Sequence, residues 1–435
     1  MTTQTIKVGI CGLGTVGQGV IALLSEGGDV LSNRVGGTIE LVHVATRTPK
    51  PQVDTLGARA SRDVFDVARD PNVDVLIELI GGTTVAKDLV VEALNEGKHV
   101  VTANKALLAD HGNELFALAE SKGVALRFEA AVAGGIPVIE AVKTSLAGNH
   151  VSSVAGIING TGNFILTEMA AEGREFADVL AEAQARGYAE ADPTFDVDGT
   201  DAAQKLVLLA SLAFGARIDA NAPFKQGVDS VAPADIEFAR ELGYRIKHLG
   251  IAKRENDLLQ LRVHPTLIPE VKAIAQVDGV LNAVMINASG VGELLLVGPG
   301  AGSRPTASAV MADVVSVARS LASNEQPSIH SMGVGVSAMS EPAITDINEV
   351  SSAWYLRLDA EDKPGVMAAL TQCLSQHGIG IESLMQKPES AALAKVPVIL
   401  LTDEAPTRAI EQAITDIEAL PSVGGSVTCL RVENF

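Results

Sequence analysis

An acidic segment that leads into a lysine has the residue types and spacing for chemistry on a small charged substrate. Five acids lie between Glu190 and Asp201, and Lys205 follows Asp201 by four positions, so these two side chains share one helix face. A carboxylate cluster can bind a substrate ammonium, and a lysine ammonium can donate a proton to a substrate oxygen. A solvated acidic loop with one surface ion pair would have the same sequence, so both interpretations stay open.

A glycine-rich segment near the N-terminus has the pattern of a dinucleotide-binding turn. It reads Gly12-Leu13-Gly14-Thr15-Val16-Gly17, follows a strand-like segment at 6–11 and opens a helical stretch from about Thr15 to Glu26. The glycines allow a tight turn and let backbone N–H groups approach a pyrophosphate at the helix N-terminus. At the first βα turn of an α/β pattern, this motif favours dinucleotide binding over an ordinary glycine-rich turn.

Two cations, Arg47 and Lys105, follow strand-like segments at 39–45 and 99–102. Ligands of open α/β sheets bind outside the carboxyl ends of the strands, where both residues would lie. An acid at the end of the second strand would bind the ribose 2′-hydroxyl of NAD, whereas an arginine accommodates the 2′-phosphate of NADP. Arg47 therefore favours NADP, with NAD as the alternative. Either cation is also compatible with an ordinary solvated surface.

The segment 129–137 combines one carboxylate, Glu129, with a glycine-rich turn. A carboxylate with several inward carbonyl oxygens is the composition of a hard-cation site, although a structural turn is the better interpretation from these residues alone. The histidines lack zinc-binding spacing and the three cysteines are far apart, so the sequence gives no indication of zinc.

The order of predicted elements divides the chain into three folded parts. Strands alternate with helices over 1–134, which predicts an α/β domain with a doubly wound parallel sheet. A mixed α+β pattern fills 135–301, and the Pro-, Gly- and Ser-rich stretch 326–351 predicts a linker. Residues 352–435 follow the order βαββαβ of a ferredoxin-like fold.

Composition excludes some classes of partner. The 435 residues carry a net charge of −20 with only 3% aromatics, which argues against general nucleic-acid binding. The longest apolar run, 206–216, is too short to cross a bilayer, and the sequence starts without a signal-peptide pattern. The prediction is a cytoplasmic protein with reduced cysteines and neither nucleic-acid nor membrane partners.

Together these motifs resemble the homoserine dehydrogenase family over residues 1 to about 325. The matching segments are 183–205, the glycine-rich opening, 102–105, 129–137 and 159–163, and the tail with Asp362-Lys363-Pro364-Gly365-Val366 resembles an ACT domain. The resemblance implies a Rossmann-like dinucleotide-binding domain at 1–134, completed by a returning helix at about 302–325. It further implies a substrate-binding and dimerisation domain at 135–301 and a regulatory ACT domain at 352–435.

The resemblance also implies an activity and a set of site residues. The activity is the NAD(P)H-dependent interconversion of L-aspartate 4-semialdehyde and L-homoserine, on the route to threonine and methionine. Lys205 would be the proton donor and acceptor, with Lys105 beside it contacting the substrate or the nicotinamide. Substrate-binding residues would be Gly187, Glu190, Asp196, Asp201 and Thr161. Arg47 and Gly302 would join Gly12, Leu13, Gly14, Thr15, Val16, Gly17 and Lys105 around the cofactor. A sodium ion would be held by Glu129 and the carbonyl oxygens of Val132, Gly134 and Ile136.

The tail of the chain carries a regulatory prediction. The resemblance implies a homo-oligomer in which the ACT-like domain assembles chains and binds an effector, threonine, near Asp362, Gly365 and Val366. An ACT domain that serves only in dimerisation is equally open, because fold alone does not fix function. Two other functions remain as alternatives: a non-catalytic amino-acid sensor that retains a dinucleotide fold, and a different amino-acid dehydrogenase.

Overall fold

The computed structural model describes residues 4–387 and 395–435. The helices are α1 (Thr15–Val35), α2 (Phe65–Arg69), α3 (Thr84–Asn95), α4 (Lys105–Lys122), α5 (Val138–Glu140), α6 (Gly160–Glu172), α7 (Phe176–Ala185), α8 (Thr194–Val197), α9 (Thr200–Phe214), α10 (Pro233–Glu241), α11 (Ser303–Ala322), α12 (Val366–Gln376) and α13 (Thr407–Glu418). The strands are β1 (Thr5–Cys11), β2 (Thr38–Ala45), β3 (Arg59–Ser61), β4 (Val75–Glu78), β5 (His99–Thr102), β6 (Leu126–Arg127), β7 (Val151–Ile157), β8 (Phe224–Lys225), β9 (Tyr244–Glu255), β10 (Leu258–Pro269), β11 (Leu281–Ala288), β12 (Gly292–Pro299), β13 (Ala343–Ile344), β14 (Ser351–Ala360), β15 (Ile381–Gln386), β16 (Val396–Thr402), β17 (Ala405–Pro406) and β18 (Val423–Val432).

Contacts between residues group these elements into two units. Unit 1 comprises Met1–Gly160, Asp201–Pro223 and Val280–Pro342. Unit 2 comprises Thr161–Thr200, Phe224–Gly279 and Ala343–Phe435. This grouping cuts across the domain boundaries expected from the sequence, which stay predictions.

Unit 1 contains a six-stranded sheet in the order β3-β2-β1-β4-β5-β6, in which neighbouring strands are parallel. Both β4 and β5 are buried along their whole length, as expected for strands covered on two faces. The strand order reverses between β1 and β4, where doubly wound sheets bind their ligands. The predicted Rossmann-like fold is confirmed.

Helices α1 and α11 pack against each other and share one apolar core with β1, β2 and β4. Gly19 permits this close approach, because a Cβ there would lie 2.7 Å from the Ser303 carbonyl oxygen. Helix α11 lies within the segment predicted to return to the dinucleotide-binding domain. Helix α1 continues past its predicted end at Glu26, because the backbone only kinks at Gly28, where φ is +28°, and then resumes the helix.

Unit 1 also holds the strands β7, β11 and β12, which pair antiparallel in that order, and the apolar helix α9. Most of the α9 side chains are buried, which fixes the helix in place, and its charged residues lie in the first two turns. The predicted linker contributes to both units: Ser340 forms a bridge with Ala216, and β13 pairs with β10.

Unit 2 is built on the strand order β9-β10-β18-β14-β16-β15. Strands β14, β15, β16 and β18 with α12 and α13 follow the predicted βαββαβ order, with the short β17 inserted before α13. The C-terminal ferredoxin-like ACT fold is confirmed. Strand β18 also pairs in parallel with β10, where Thr266 lies opposite Arg431, so the ACT strands extend the sheet of this unit.

Helix α10 lies in 135–301, where the sequence predicted only a mixed α+β pattern without a helix at this position. Its Asp235 is fully buried and accepts hydrogen bonds from Arg357 Nε at 2.5 Å and from the Tyr355 hydroxyl at 3.1 Å, both on β14. This ion pair fixes the helix to the ACT strands within unit 2. Within 4–387 and 395–435, no helix has both the length and the apolar composition that a membrane span requires.

Candidate active site

Asp201, in the first turn of α9, is the centre of a buried polar cluster in unit 1. Its Oδ2 accepts hydrogen bonds from Lys205 Nζ at 2.7 Å and from Asn159 Nδ2 at 2.9 Å. Its Oδ1 lies 3.1 Å from Lys105 Nζ. Lys205 Nζ also donates to the Ile158 carbonyl oxygen at 2.7 Å. One carboxylate therefore holds two lysine ammonium groups.

Three segments of unit 1 build this lysine–aspartate cluster. Helix α9 places Asp201 and Lys205 one turn apart, as their spacing predicts. Asn159 lies just after the carboxyl end of β7, and Lys105 is the first residue of α4. The structure thus brings together both lysines and the aspartate named from the sequence.

Electrostatics keep the Asp201 carboxyl ionised. Burial raises the pKa of this group, but attraction to Lys205 and Lys105 and the hydrogen bonds from Lys205 and Asn159 outweigh that effect and lower the pKa to about 2. With both lysines protonated, two positive charges face one negative charge. Such a cluster can stabilise negative charge that develops on a substrate oxygen.

The glycine-rich turn at the carboxyl end of β1 has the backbone needed to approach a phosphate. Gly12 has φ +106°, and a Cβ there would lie 2.5 Å from the Leu79 carbonyl oxygen. A Cβ on Gly17 would lie 2.1 Å from the Gly12 carbonyl oxygen, whereas a Cβ on Gly14 would meet nothing within 4 Å. Gly14 caps α1 without a side-chain bond, so the first-turn N–H groups of Thr15, Val16 and Gly17 point to the helix end.

A cavity of about 640 Å³ opens at this turn. Gly12, Leu13 and Gly14 form part of its wall, with Leu79, Ile80 and Gly81 from the end of β4. Arg47 also lines it, together with Lys50, Arg62 and one acid, Asp63. The glycine turn, the helix N-terminus and the cations fit a dinucleotide phosphate.

Gly302, another predicted cofactor residue, precedes α11 and has φ +120°. The next residue, Ser303, donates its hydroxyl hydrogen to the Thr15 carbonyl oxygen at 2.8 Å. This bond brings the start of α11 to the first turn of α1.

The predicted cation site lies in a buried turn of unit 1. The Glu129 carboxylate accepts backbone N–H bonds from Ile139 and Glu140, each at 2.8 Å. Burial and the neighbouring Asp313 carboxylate raise the pKa of Glu129 to about 7.

Three carbonyl oxygens were assigned to the same cation. The Ile136 carbonyl accepts a hydrogen bond from Val138 N at 2.8 Å. In the part of the chain that the structure describes, the carbonyl oxygens of Val132 and Gly134 accept no backbone hydrogen bond outside helices and strands, and both residues are buried. Buried carbonyl oxygens of this kind suit a hard cation such as sodium.

The other predicted substrate residues belong to unit 2. Thr161, in the first turn of α6, donates its hydroxyl hydrogen to the Tyr188 carbonyl oxygen at 2.8 Å. Gly187 has φ +74° in the turn after α7, Glu190 is exposed, and Asp196 lies on α8.

The predicted effector residues lie at the start of α12. Gly365 caps this helix with φ +93° and Val366 is buried. Asp362 is exposed and accepts a hydrogen bond from Gln386 Nε2 at 3.1 Å. Their effector role stays a prediction.

The sequence-based site omitted several groups that the structure adds. Asn159 lies in a segment quoted for the resemblance but had no assigned role, and its position after a strand could have suggested one. The Ile158 carbonyl is a backbone group without a sequence signal. Lys50 and Arg62 line the cofactor cavity because β2 and β3 pair in parallel, which the sequence pattern did not resolve.

A Rossmann-type sheet, a phosphate-binding glycine turn and a lysine–carboxylate cluster define a dinucleotide-dependent oxidoreductase. Comparison with known proteins identifies the family. The family models named homoserine dehydrogenase, homoserine dehydrogenase NAD-binding domain and ACT domain match residues 137–315, 12–129 and 354–419. The chain belongs to the homoserine dehydrogenase family, whose members are NAD(P)-dependent oxidoreductases.

Individual relatives support this assignment over the whole chain. A homoserine dehydrogenase of Pseudomonas aeruginosa is 51% identical over 99% of this chain and 100% of its own. The crystal structure of a Thiobacillus denitrificans homoserine dehydrogenase has a TM-score of 0.93 at 45% identity, covering 99% of each chain. A hyperthermophilic archaeal homoserine dehydrogenase in complex with NADPH has a TM-score of 0.61 at 25% identity, covering 72% of this chain and 97% of that one. The predicted family and enzyme class are confirmed.

Two glycines of the turn should respond differently to alanine. Gly17→Ala is expected to lower the free energy of unfolding by about 2 kcal/mol, because its Cβ collides with the Gly12 carbonyl oxygen. Gly14→Ala should keep the stability of the unliganded protein but weaken dinucleotide binding about tenfold, because its methyl group occupies the open space at the helix end. Denaturant unfolding and NADPH fluorescence titration measure the two effects. The same loss of stability in both variants, or unchanged NADPH affinity in Gly14→Ala, would contradict these roles of the two glycines.

Proposed function

We propose that Lys205 is the proton donor and acceptor in the interconversion of L-aspartate 4-semialdehyde and L-homoserine, with Lys105 as the second active-site cation. The observation that carries this proposal is the shared Asp201 carboxylate, which holds both ammonium groups within 3.1 Å. An oxygen that gains negative charge needs a nearby positive charge and a proton, and this cluster supplies both.

A nicotinamide dinucleotide, which the glycine turn at Gly12, Leu13 and Gly14 and the Arg47 side chain would hold, would supply or accept the hydride at the substrate carbon. In the reductive direction, Lys205 donates its Nζ proton to the aldehyde oxygen as negative charge develops there. In the oxidative direction, the same nitrogen takes the proton of the hydroxyl group. Asp201 and the Ile158 carbonyl orient the Lys205 ammonium through two hydrogen bonds, and Lys105 adds positive charge. We keep Gly187, Glu190, Asp196 and Thr161, with Asp201, as the proposed substrate-binding residues.

Lys205→Met should remove the proton-transfer group and lower kcat by at least about a hundredfold in both directions. NADPH affinity should change less than about twofold, because Lys205 is not among the residues of the cofactor cavity. The matched control is Lys122→Met, at the exposed far end of α4. Absorbance at 340 nm with homoserine and NADP gives kcat. Full turnover of Lys205→Met would exclude the proposed role.

NADP is the proposed cofactor in preference to NAD. Arg47, Lys50 and Arg62 line the cavity, and an acid that would repel a 2′-phosphate is missing at the end of β2. The archaeal relative solved with NADPH supports the same choice.

Arg47→Ser should raise the KM for NADP about tenfold and leave the KM for NAD within about twofold, because only NADP carries the 2′-phosphate. Arg59→Ser is the control, since Arg59 is an exposed arginine on β3 outside the cavity wall. Steady-state kinetics with NADP and with NAD give the two KM values. A similar rise in both KM values in Arg47→Ser would refute a contact with the 2′-phosphate.

A sodium ion is proposed at the turn 129–136. The buried carbonyl oxygens of Val132 and Gly134 support it, and Ile136 and Glu129 complete the proposed set. The Glu129 carboxylate accepts two backbone N–H bonds, which fix its position beside these carbonyl oxygens.

The ACT domain is proposed to bind threonine and to help assemble a homo-oligomer. The uncapped N-terminus of α12 at Gly365, with Asp362 beside it, supports recognition of an amino acid. We also propose a cytoplasmic location, supported by three unpaired cysteines.

Asp362→Ala should raise the threonine concentration needed for half-maximal effect on turnover about tenfold, because it removes a candidate acceptor for the ammonium. Asp416→Ala on α13 is the control. For each variant, turnover is measured as a function of threonine concentration. A threonine response equal in both variants, or none in the unmodified enzyme, would contradict effector binding at Asp362.

A further inference from the structure

A buried carboxylate of unit 1 lies outside the lysine–aspartate cluster and has no role in the mechanism given above. Glu78 ends β4 and its side chain is fully buried. Its Oε1 accepts the backbone N–H bonds of Ile80 at 2.9 Å and Gly81 at 3.2 Å. Its Oε2 accepts the Thr102 hydroxyl hydrogen at 2.5 Å. Burial raises the pKa of Glu78, and these hydrogen bonds oppose that shift.

The hydrogen bonds continue from Thr102 to the first turn of α4. The Thr102 hydroxyl oxygen accepts the Asn104 N–H bond at 3.0 Å. The Asn104 side chain caps α4 by accepting the Leu107 N–H bond at 3.1 Å, and it donates to the Gly82 carbonyl oxygen at 2.7 Å. Lys105, the first residue of α4, follows directly.

We propose that Glu78 and Thr102 are positioning residues that act through Lys105. The chain of bonds ties the cofactor-cavity wall at Ile80 and Gly81 to the turn that presents Lys105 to Asp201. A shift of this turn would move the Lys105 ammonium relative to the reacting oxygen, and catalysis is sensitive to displacements of about 1 Å. The proposal rests on the role given to Lys105 under the proposed function.

Burying the Glu78 carboxylate costs desolvation free energy, which its contacts must offset. Glu78 accepts hydrogen bonds from Ile80, Gly81 and Thr102, and the described residues place no cation within ion-pair distance of it. A neutral residue would avoid the desolvation cost, yet it could not accept three donors at once. The carboxylate is therefore suited to fix three groups at the carboxyl ends of the adjacent strands β4 and β5, beside the cavity at the glycine turn.

The test is a double-mutant cycle between Thr102 and Lys105 in the full-length enzyme. Thr102→Val, which keeps the shape and removes the hydroxyl, should lower kcat about tenfold with NADPH affinity within about twofold, and Thr102→Ser should restore most of the turnover. In a Lys105→Ala background, Thr102→Val should cost less than about twofold more. Glu78→Gln, which keeps an acceptor toward Ile80 and Gly81, is the second variant if Thr102→Val does not fold.

The outcomes separate the two proposals. A multiplicative loss of kcat in the double variant would overturn the positioning role, because Thr102 would then act independently of Lys105. Equal losses in Thr102→Ser and Thr102→Val would also overturn it. Full turnover of Lys105→Ala would overturn the role of Lys105 itself, and this proposal with it.

Discussion

The lysine–aspartate cluster depends on the ion pairs that the Asp201 carboxylate makes with Lys205 and Lys105. Two ammonium groups within 3.1 Å of the same carboxylate would repel each other without it. Asp201 is buried, so removing its carboxylate would leave two partly buried ammonium groups without their shared counter-charge. The attraction is strong enough to lower the pKa of Asp201 to about 2 despite burial.

Much of unit 1 serves to bring three segments to this carboxylate. The apolar side chains of α9 fix the helix that carries Asp201 and Lys205, β7 ends at Asn159, and β5 leads into the turn before Lys105. The same parallel sheet places the glycine turn of β1 and the end of β4 at one crevice. The fold thus places the glycine-rich turn and the lysine–aspartate cluster on one unit.

Local patterns allowed much of this site to be predicted. The glycine turn and the i, i+4 pair Asp201–Lys205 depend only on neighbours in sequence. The bond from Asn159 to Asp201 and the contact of Lys105 with Asp201 depend on packing between segments far apart in the chain, which spacing does not reveal. Helix α10 was missed because its stabilising bond, from Arg357 to Asp235, joins residues 122 positions apart. The end of α1 was misplaced because adjacent glycines there kink the helix without ending it.

The most direct test of the central claim is the pH dependence of stability in the native enzyme and in Asp201→Asn, measured by calorimetric unfolding, which detects the unfolding of unit 1 as well as of unit 2. The folded pKa of Asp201, about 2, lies below the ordinary value of 3.8, so its stabilisation is complete above about pH 4 and is lost as the pH falls toward 2. Asp201→Asn should be less stable by about 2 kcal/mol at pH 7, and the difference should shrink to about half at pH 3. Equal stability at pH 7, or a difference that stays constant down to pH 3, would contradict the claim.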